Sequence, residues 1–347
     1  MEGKEEGMKF WMKGLVLIFV AAFSNLAPMA VEIKAQTVQV NLGVTFRNAR
    51  LTPLWIAEEE GYFKKQGLDL KTMNISGGTQ GAQTMVSGGV DISFDDPISA
   101  IVATAAGVPV VDVYAGTPTM PFLLVGAPTV KTVAALKGKR VGSSGLGPSA
   151  SRLALLVAFK HMGLDVDKDQ ITIVAAGQEP ERIAGLTAGA LAATVISPEY
   201  RSKLDQLGLN VLADLRALNI SWETASLITT RKNMQNQNTR DAFERVMKAL
   251  LEANAYILNP ARRSRVLDVV TSKLGLKSSQ EAAAPYDDLV KYYVLKKPYP
   301  NREGIANILA EVAKIVPKVA SLKYEDVADA SLIEKLDKNG FIDSLYK

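Results

Sequence analysis

Apolar and polar residues alternate along Val38–Val44 (VQVNLGV), the period of a strand with one buried face. A polar break, residues 45–48, follows. Leu51-Thr52-Pro53 then predicts a helix start, with Thr52 as N-cap and Pro53 at the first helical position. Leu54, Ile56 and Ala57 begin its apolar face. Gly61 interrupts it, Gly67 closes a second short turn as a C-cap, and residues 68–73 return to strand character. This is one βαβ step. Its helix start faces the space beyond the end of the first strand, where parallel sheets bind ligands and where unpaired N–H groups favour anions.

The alternation of strand and helix patterns continues. Residues 76–79 turn into a helix reaching Ser87, and residues 90–94 form a strand closed by Asp95-Asp96-Pro97. A small-residue helix (98–106) and a buried strand (Val110–Tyr114) complete the series. A Gly/Pro/Thr break at 115–120 (AGTPTM) precedes a second α/β series: strands at 122–125, 140–142, 171–174 and 192–196, with helices at 151–162 and 180–187. Residues 219–222 lead back to a returning strand at 225–230. Beyond Thr230 only helical periodicity remains, at 239–258, 261–274, 280–293 and 302–316, punctuated by Pro260 and Pro298. The pattern predicts an α/β protein with two lobes joined by two crossing segments around a cleft. Lobe 1 comprises 36–119 and 223–347, with the C-terminal helices packed on it, and lobe 2 comprises 120–222.

A length of 347 residues suits two domains, and 48% hydrophobic with 22% charged residues is a globular composition. The net charge of +4 comes without a basic stripe interleaved with aromatics, which argues against nucleic-acid binding. It is compatible with anionic ligands, and equally with a plain solvated surface. The absence of cysteine excludes disulfides, thiolate metal sites and a lipidated N-terminal Cys. Lys9 and Lys13 precede an apolar run of about ten residues, too short to span a bilayer. Ile33-Lys34-Ala35 is an acceptable cleavage site, so residues 1–35 read as a secretory signal peptide, with an uncleaved anchor as the alternative. Met8 is an alternative start. Export places the mature chain in the periplasm.

PLWIAEEEGYFKKQGLDL, SGGTQGAQTMVSGGVDIS and LKGKRVGSSGLGPSASRLALL resemble the substrate-binding proteins of ABC importers for nitrate, sulfonates and taurine. That group includes the binding proteins for thiamine pyrimidine precursors. The resemblance spans roughly residues 38–231 and is specific for the superfamily but weak for the ligand. It implies the type II fold of periplasmic binding proteins and a small-molecule ligand. It also implies ABC permease transmembrane subunits with their cytoplasmic ATPase as partners, a monomer, and no cofactor or metal.

Candidate contacts come from the strand ends of both lobes. After the first strand stand Thr45, Phe46, which could stack on a ligand, and Arg47, which could pair an anion bidentately; the bland reading of Arg47 is an exposed loop residue. Gly77, Gly78 and Thr79 form a strand-to-helix turn with free N–H groups. Asp95 and Asp96 either meet a ligand amine or ring N–H, or merely cap the next helix. In lobe 2, Ser144, Gly147 and Ser149 lie in a Gly/Ser turn that suits a carboxylate or sulfonate, or is a plain turn plus N-cap. This turn also reads G-x-G-x-x-A, but Pro148 removes an N–H that a dinucleotide would need, and no G-K-[ST] is present. Gln178, Glu179, Ser197 and Tyr200 follow further lobe 2 strands. Trp222, near the return crossing, either closes over the ligand or packs between the lobes. His161, the only histidine, reads as a helix-end residue.

These residues point to a binding protein that traps a small organic, acidic ligand by hinge closure; a ligand-sensing subunit for a membrane receptor is the alternative, and the residues do not separate the two because both present the same closed surface. An enzyme resembling the thiamine pyrimidine synthases is the weakest reading, because that resemblance implies Cys and His chemistry. This chain has no cysteine, and no catalytic Ser/His/Asp set is evident.

Overall fold

In the computed structural model, residues 37–75 and 78–347 are described, so the expected signal peptide lies outside them, as do Ser76 and Gly77. The first alternation forms β1 (Val38–Val44), flanked by parallel neighbours β2 (Leu68–Asn74) and β3 (Ile92–Asp95). Between β1 and β2 runs α1 (Thr52–Glu59), with Pro53 in its first turn. Thr52 does not cap it. It lies within the helix, and its hydroxyl donates back to the Ala49 carbonyl at 2.6 Å. A 3-10 turn, Ala49–Leu51, comes first and is capped by Asn48, whose side chain accepts the Arg50 N–H. This added turn is what buries Arg50.

After β2 come α2 (Gly78–Val86), β3, α3 (Pro97–Ala105) and β4 (Val110–Tyr114). The chain then crosses to β5 (Leu123–Gly126), β6 (Arg140–Ser143), α4 (Ala150–His161), β7 (Thr172–Ala175), α5 (Glu179–Thr187), β8 (Ala193–Ile196) and β9 (Asn210–Asp214). It returns as β10 (Ser226–Thr230). Two five-stranded sheets result, ordered β2-β1-β3-β10-β4 in lobe 1 and β7-β6-β8-β5-β9 in lobe 2. Each has the same plan. The strand arriving from a crossing, β10 or β5, inserts antiparallel to its neighbours, and the rest of its core is parallel. β9 was not foreseen, because it is short and only half-buried and carries a weak period.

The two crossings run side by side. Thr117 and Thr224 exchange both backbone hydrogen bonds, each 2.9 Å. Gly116 is required there, since a Cβ would stand 1.8 Å from the Ala225 carbonyl oxygen.

The C-terminal helices cover lobe 1. In α6 (Gln237–Leu258), Phe243, Met247 and Leu250 share one core with Leu54 and Ile56 of α1. α7 (Arg263–Leu274) and α8 (Ala283–Asp288) join the same core, and α8 continues as a wider turn, Leu289–Tyr293, rather than one regular helix. α9 (Arg302–Ala313) also reaches lobe 2: Ile305, Ile308 and Val312 share a core with Leu123 and Leu153. The two α/β lobes predicted by the alternation, and the type II fold of periplasmic binding proteins implied by the resemblance, are the architecture found.

Candidate functional site

The strand ends of both sheets open onto one cavity of about 940 Å³, within the range of small-molecule sites. Lobe 1 contributes Thr45, Phe46, Arg47, Asn48 and Arg50 after β1, and Asp95 and Asp96 at β3. Lobe 2 contributes Ser144, Gly147 and Ser149 after β6, Gln178 and Glu179 after β7, and Ser197 and Tyr200 after β8. Ile98 and Val102 of α3, with Phe122, give an apolar wall. Loops after parallel strands converge because every β–α connection leaves a sheet at the same edge, so the helix starts face a common space.

In lobe 1 the key side chain is one the sequence reading missed. Arg50 is 8% exposed, its Nε donates to Asn48 Oδ1 at 3.2 Å, and its guanidinium lies 4.7 Å over the Phe46 ring. One face of Phe46 is therefore already covered. Arg50 Nη1 approaches Asp96 Oδ1 at 3.7 Å. Arg47, by contrast, is exposed and donates to the Lys273 carbonyl at 2.9 Å, at the C-terminal end of α7. It lines the cavity with part of its engagement spent outside.

Asp96 holds the N-cap position of α3 but makes no side-chain cap bond. Its Oδ1 instead accepts the N–H of Ala225, at the return crossing, at 3.0 Å. Asp95 is 2% exposed and its Oδ1 accepts the Asp96 N–H at 2.7 Å. Burial, aided by the Asp96 charge, pushes its carboxyl up to about 7.

In lobe 2, Ser149 caps α4, accepting the Arg152 N–H. Ser151, 4% exposed, accepts the Ser144 N–H at 2.8 Å and donates to Ser144 Oγ at 2.9 Å, which fixes the turn. Glu179 accepts the Ser197 N–H at 2.6 Å and lies 3.8 Å from Arg182, a second buried arginine the sequence reading passed over. The Glu-x-x-Arg spacing on α5 was the available signal. Glu199, on the short turn after β8, accepts the Ala49 N–H of lobe 1 at 3.4 Å. Burial raises its carboxyl to about 7 as well. Arg216 of lobe 2 meets Asp288 of lobe 1 at 2.5 Å, so the lobes touch directly as well as through the crossings.

One expectation did not reach the cavity. Trp222 is 2% exposed and belongs to a core shared by lobe 2 residues and by Ile98 and Ile305 of lobe 1, with its carbonyl against Gly304 of α9, so it packs between the lobes, the second of its two expected places. Its ring cannot close over a ligand, because the apolar packing that buries it already surrounds it. Gly77 lies outside the described residues, as do the side chains of Gly78 and Thr79, which begin α2, the helix whose Ala82 and Gln83 line the cavity. His161 ends α4 and is exposed, the helix-end place expected of it.

A family model described as "NMT1/THI5 like" matches residues 48–263. Two Saccharomyces cerevisiae proteins named 4-amino-5-hydroxymethyl-2-methylpyrimidine phosphate synthase, THI5 and THI12, are each 33% identical over 116 residues, 32% of this chain and 33% of theirs. The match thus spans about a third of the length of these curated relatives. Among solved structures, the alkanesulfonate-binding protein SsuA from Xanthomonas axonopodis pv. citri, bound to MOPS, is similar with TM-score 0.66 and 19% identity, covering 86% of this chain and 98% of that one. The periplasmic nitrate-binding protein NrtA from Synechocystis PCC 6803 gives TM-score 0.69 and 12% identity, covering 88% and 89%. The periplasmic aliphatic sulphonate binding protein SsuA from Escherichia coli gives 0.65 and 21%, covering 83% and 91%. At these identities the likeness is one of fold.

Proposed function

The chain belongs to the NMT1/THI5-like family, and from that premise we propose that it is the extracytoplasmic solute-binding component of an ABC importer. It traps a small organic ligand with an acidic head group between two lobes. In this reading residues 36–119 and 223–347 move as one body and 120–222 as the other, in the periplasm. The closed form is presented to permease subunits driven by a cytoplasmic ATPase. The observation that carries the reading is the cavity of about 940 Å³ lined by strand ends of both sheets. A solute held by both lobes makes its full set of contacts only when they are together, so binding favours closure without any bond being made or broken. The acidic head group is assigned to the Ser144–Ser149 turn at the start of α4, with Arg50 of lobe 1 lining the same cavity.

The name carried by the yeast relatives raises a synthase as the second reading. It rests on a third of the chain, and this chain has one histidine, at the exposed end of α4, and no cysteine. The test is ligand-dependent melting of the purified chain against sulfonates, aromatic acids, pyrimidines and nitrate. A ligand bound only by the folded state raises stability by RT ln(1 + [L]/Kd). At least one solute is expected to raise the melting temperature and to be recovered unchanged. Recovery of a converted product would favour the synthase.

A further inference from the structure

Among the described residues that line the cavity the charges pair off, and one carboxyl is left over. Arg50 lies 3.7 Å from Asp96, and Arg182 lies 3.8 Å from Glu179. Each buried guanidinium therefore has a carboxylate of its own. Arg47 is exposed and bonded to the Lys273 carbonyl. Asp95 has no cation within salt-bridge reach among the described residues. Among the described residues its Oδ2 is buried without a hydrogen-bond partner, yet the residue lines the cavity.

Resting on the binding reading above, we propose that Asp95 is the specificity-determining residue for a cationic nitrogen: the ligand carries a protonated amine, amidine or guanidine in addition to its acidic group. A carboxylate taken out of water without a partner is costly, and a ligand cation is the partner this one lacks. The two ends of such a ligand would match the two halves of the site. The acid would meet the Ser144–Ser149 turn of lobe 2, and the nitrogen would meet Asp95 on the lobe 1 floor.

The groups facing Asp95 set its proton balance. Asp96 lies beside it, with its own charge held by Arg50 and the Ala225 N–H. The hydroxyls of Thr45, after β1, and Ser99, on α3, approach the carboxyl. From α2, a Cβ added at Gly81 would stand 3.0 Å from Oδ2, so backbone closes that side. Burial raises Asp95 to about 7, so in the empty cavity it is about half protonated at neutrality. A cationic ligand displaces that proton to solvent, and its affinity must rise with pH until Asp95 is fully ionised. If Asp95 instead keeps its proton and donates it to a ligand anion, affinity falls over the same range.

Isothermal titration of the purified chain separates the two. The probes are matched pairs: 3-aminopropanesulfonate against propanesulfonate, and β-alanine against propionate. The aminated member of a pair is expected to bind at least tenfold more tightly than its twin. Its affinity should rise about tenfold between pH 6 and pH 8, as expected for ionisation of a group at about 7. In Asp95→Asn, which keeps the shape and removes the charge, the preference should shrink to within about threefold and the pH slope should flatten. The pH slope of the unmutated chain tests the inference even if that variant folds poorly. Tighter binding of the unaminated acids, weakening as pH rises, would overturn the inference and leave the binding reading intact. No binding by either set at millimolar concentration would count against both.

Discussion

Replacing Asp288 with Asn tests the contact that joins the lobes. Arg216 of lobe 2 is held within its own lobe by Asp214, with Nε–Oδ1 at 2.9 Å and Nη2–Oδ2 at 2.7 Å, and it lies 4.8 Å over the Tyr292 ring of lobe 1. Its Nη1 reaches across to Asp288 at 2.5 Å and to the Tyr293 hydroxyl at 3.4 Å. The substitution removes one charge, leaves an oxygen to accept the bond, and leaves Arg216 paired with Asp214. It therefore does not strand a buried cation, which would cost about 3–5 kcal/mol. Burial raises the Asp288 carboxyl and Arg216 lowers it, and burial is the larger effect. The pair thus returns only part of its attraction, about 1 kcal/mol, nearer the exposed-pair range. Because the bond exists only when the lobes meet, all of that energy bears on closure. The closed-to-open ratio should fall about fivefold, and apparent ligand affinity should fall with it in a population where closing limits binding. The chain has no cysteine, so Lys71→Cys on lobe 1 and Lys168→Cys on lobe 2 accept fluorophores without background. Energy transfer between them should report a longer mean separation in Asp288→Asn without ligand, and a several-fold higher ligand concentration for half-closure. Unchanged transfer and unchanged affinity would refute the argument that this contact holds the lobes together.

Other consequences follow from the same geometry. Gly116→Ala drives a Cβ to 1.8 Å from the Ala225 carbonyl oxygen, so urea denaturation should show a loss of about 3 kcal/mol or more, or no folded protein. Arg50→Ala removes the buried cation beside Asp96 and should weaken anion binding more than tenfold, whereas Arg47→Ala should cost less, because Arg47 is exposed and bonded to Lys273. Melting shifts against a sulfonate or carboxylate rank the two. The Asp95 and Glu199 carboxyls, each raised to about 7, hold protons in the folded chain that the unfolded chain has released. Burial raises the neighbouring Asp112 and Glu223 in the same direction. The stability these groups confer is therefore fully present below the unfolded carboxyl range and is lost as pH rises through about 7. Urea midpoints should fall from about pH 5 to about pH 8, and Asp95→Asn should reduce that slope by up to about 1.4 kcal/mol per pH unit; a midpoint that climbs over this range would contradict the assignment.

The strand-helix alternation carried the fold because parallel α/β units write their period into every segment. The same regularity carried most of the site, since residues after parallel strands share one edge. Thr45, Asp95, Ser144, Ser149, Glu179 and Ser197 could be read that way, and all line the cavity. Arg50 could not, because an extra 3-10 turn capped by Asn48 shifted it into the interior while Arg47, the more obvious choice, stayed at the surface. Trp222 missed the cavity for the opposite reason. Its position near a crossing suggested either the cleft or packing between the lobes, and burial of a large ring in a core shared by both lobes decided for the second. Glu199 carried no local signal, since its contact with Ala49 joins segments that approach each other only once both lobes are folded. The partners of Asp96 were equally out of reach, because the Ala225 N–H belongs to a crossing 129 residues away.

The account depends most on two lobes drawing together over a solute. Small-angle scattering of the purified chain, with and without a saturating amount of a solute found by melting, measures this directly. The radius of gyration is expected to shrink on binding while the solute is recovered intact. A bound solute that leaves the radius unchanged would contradict it.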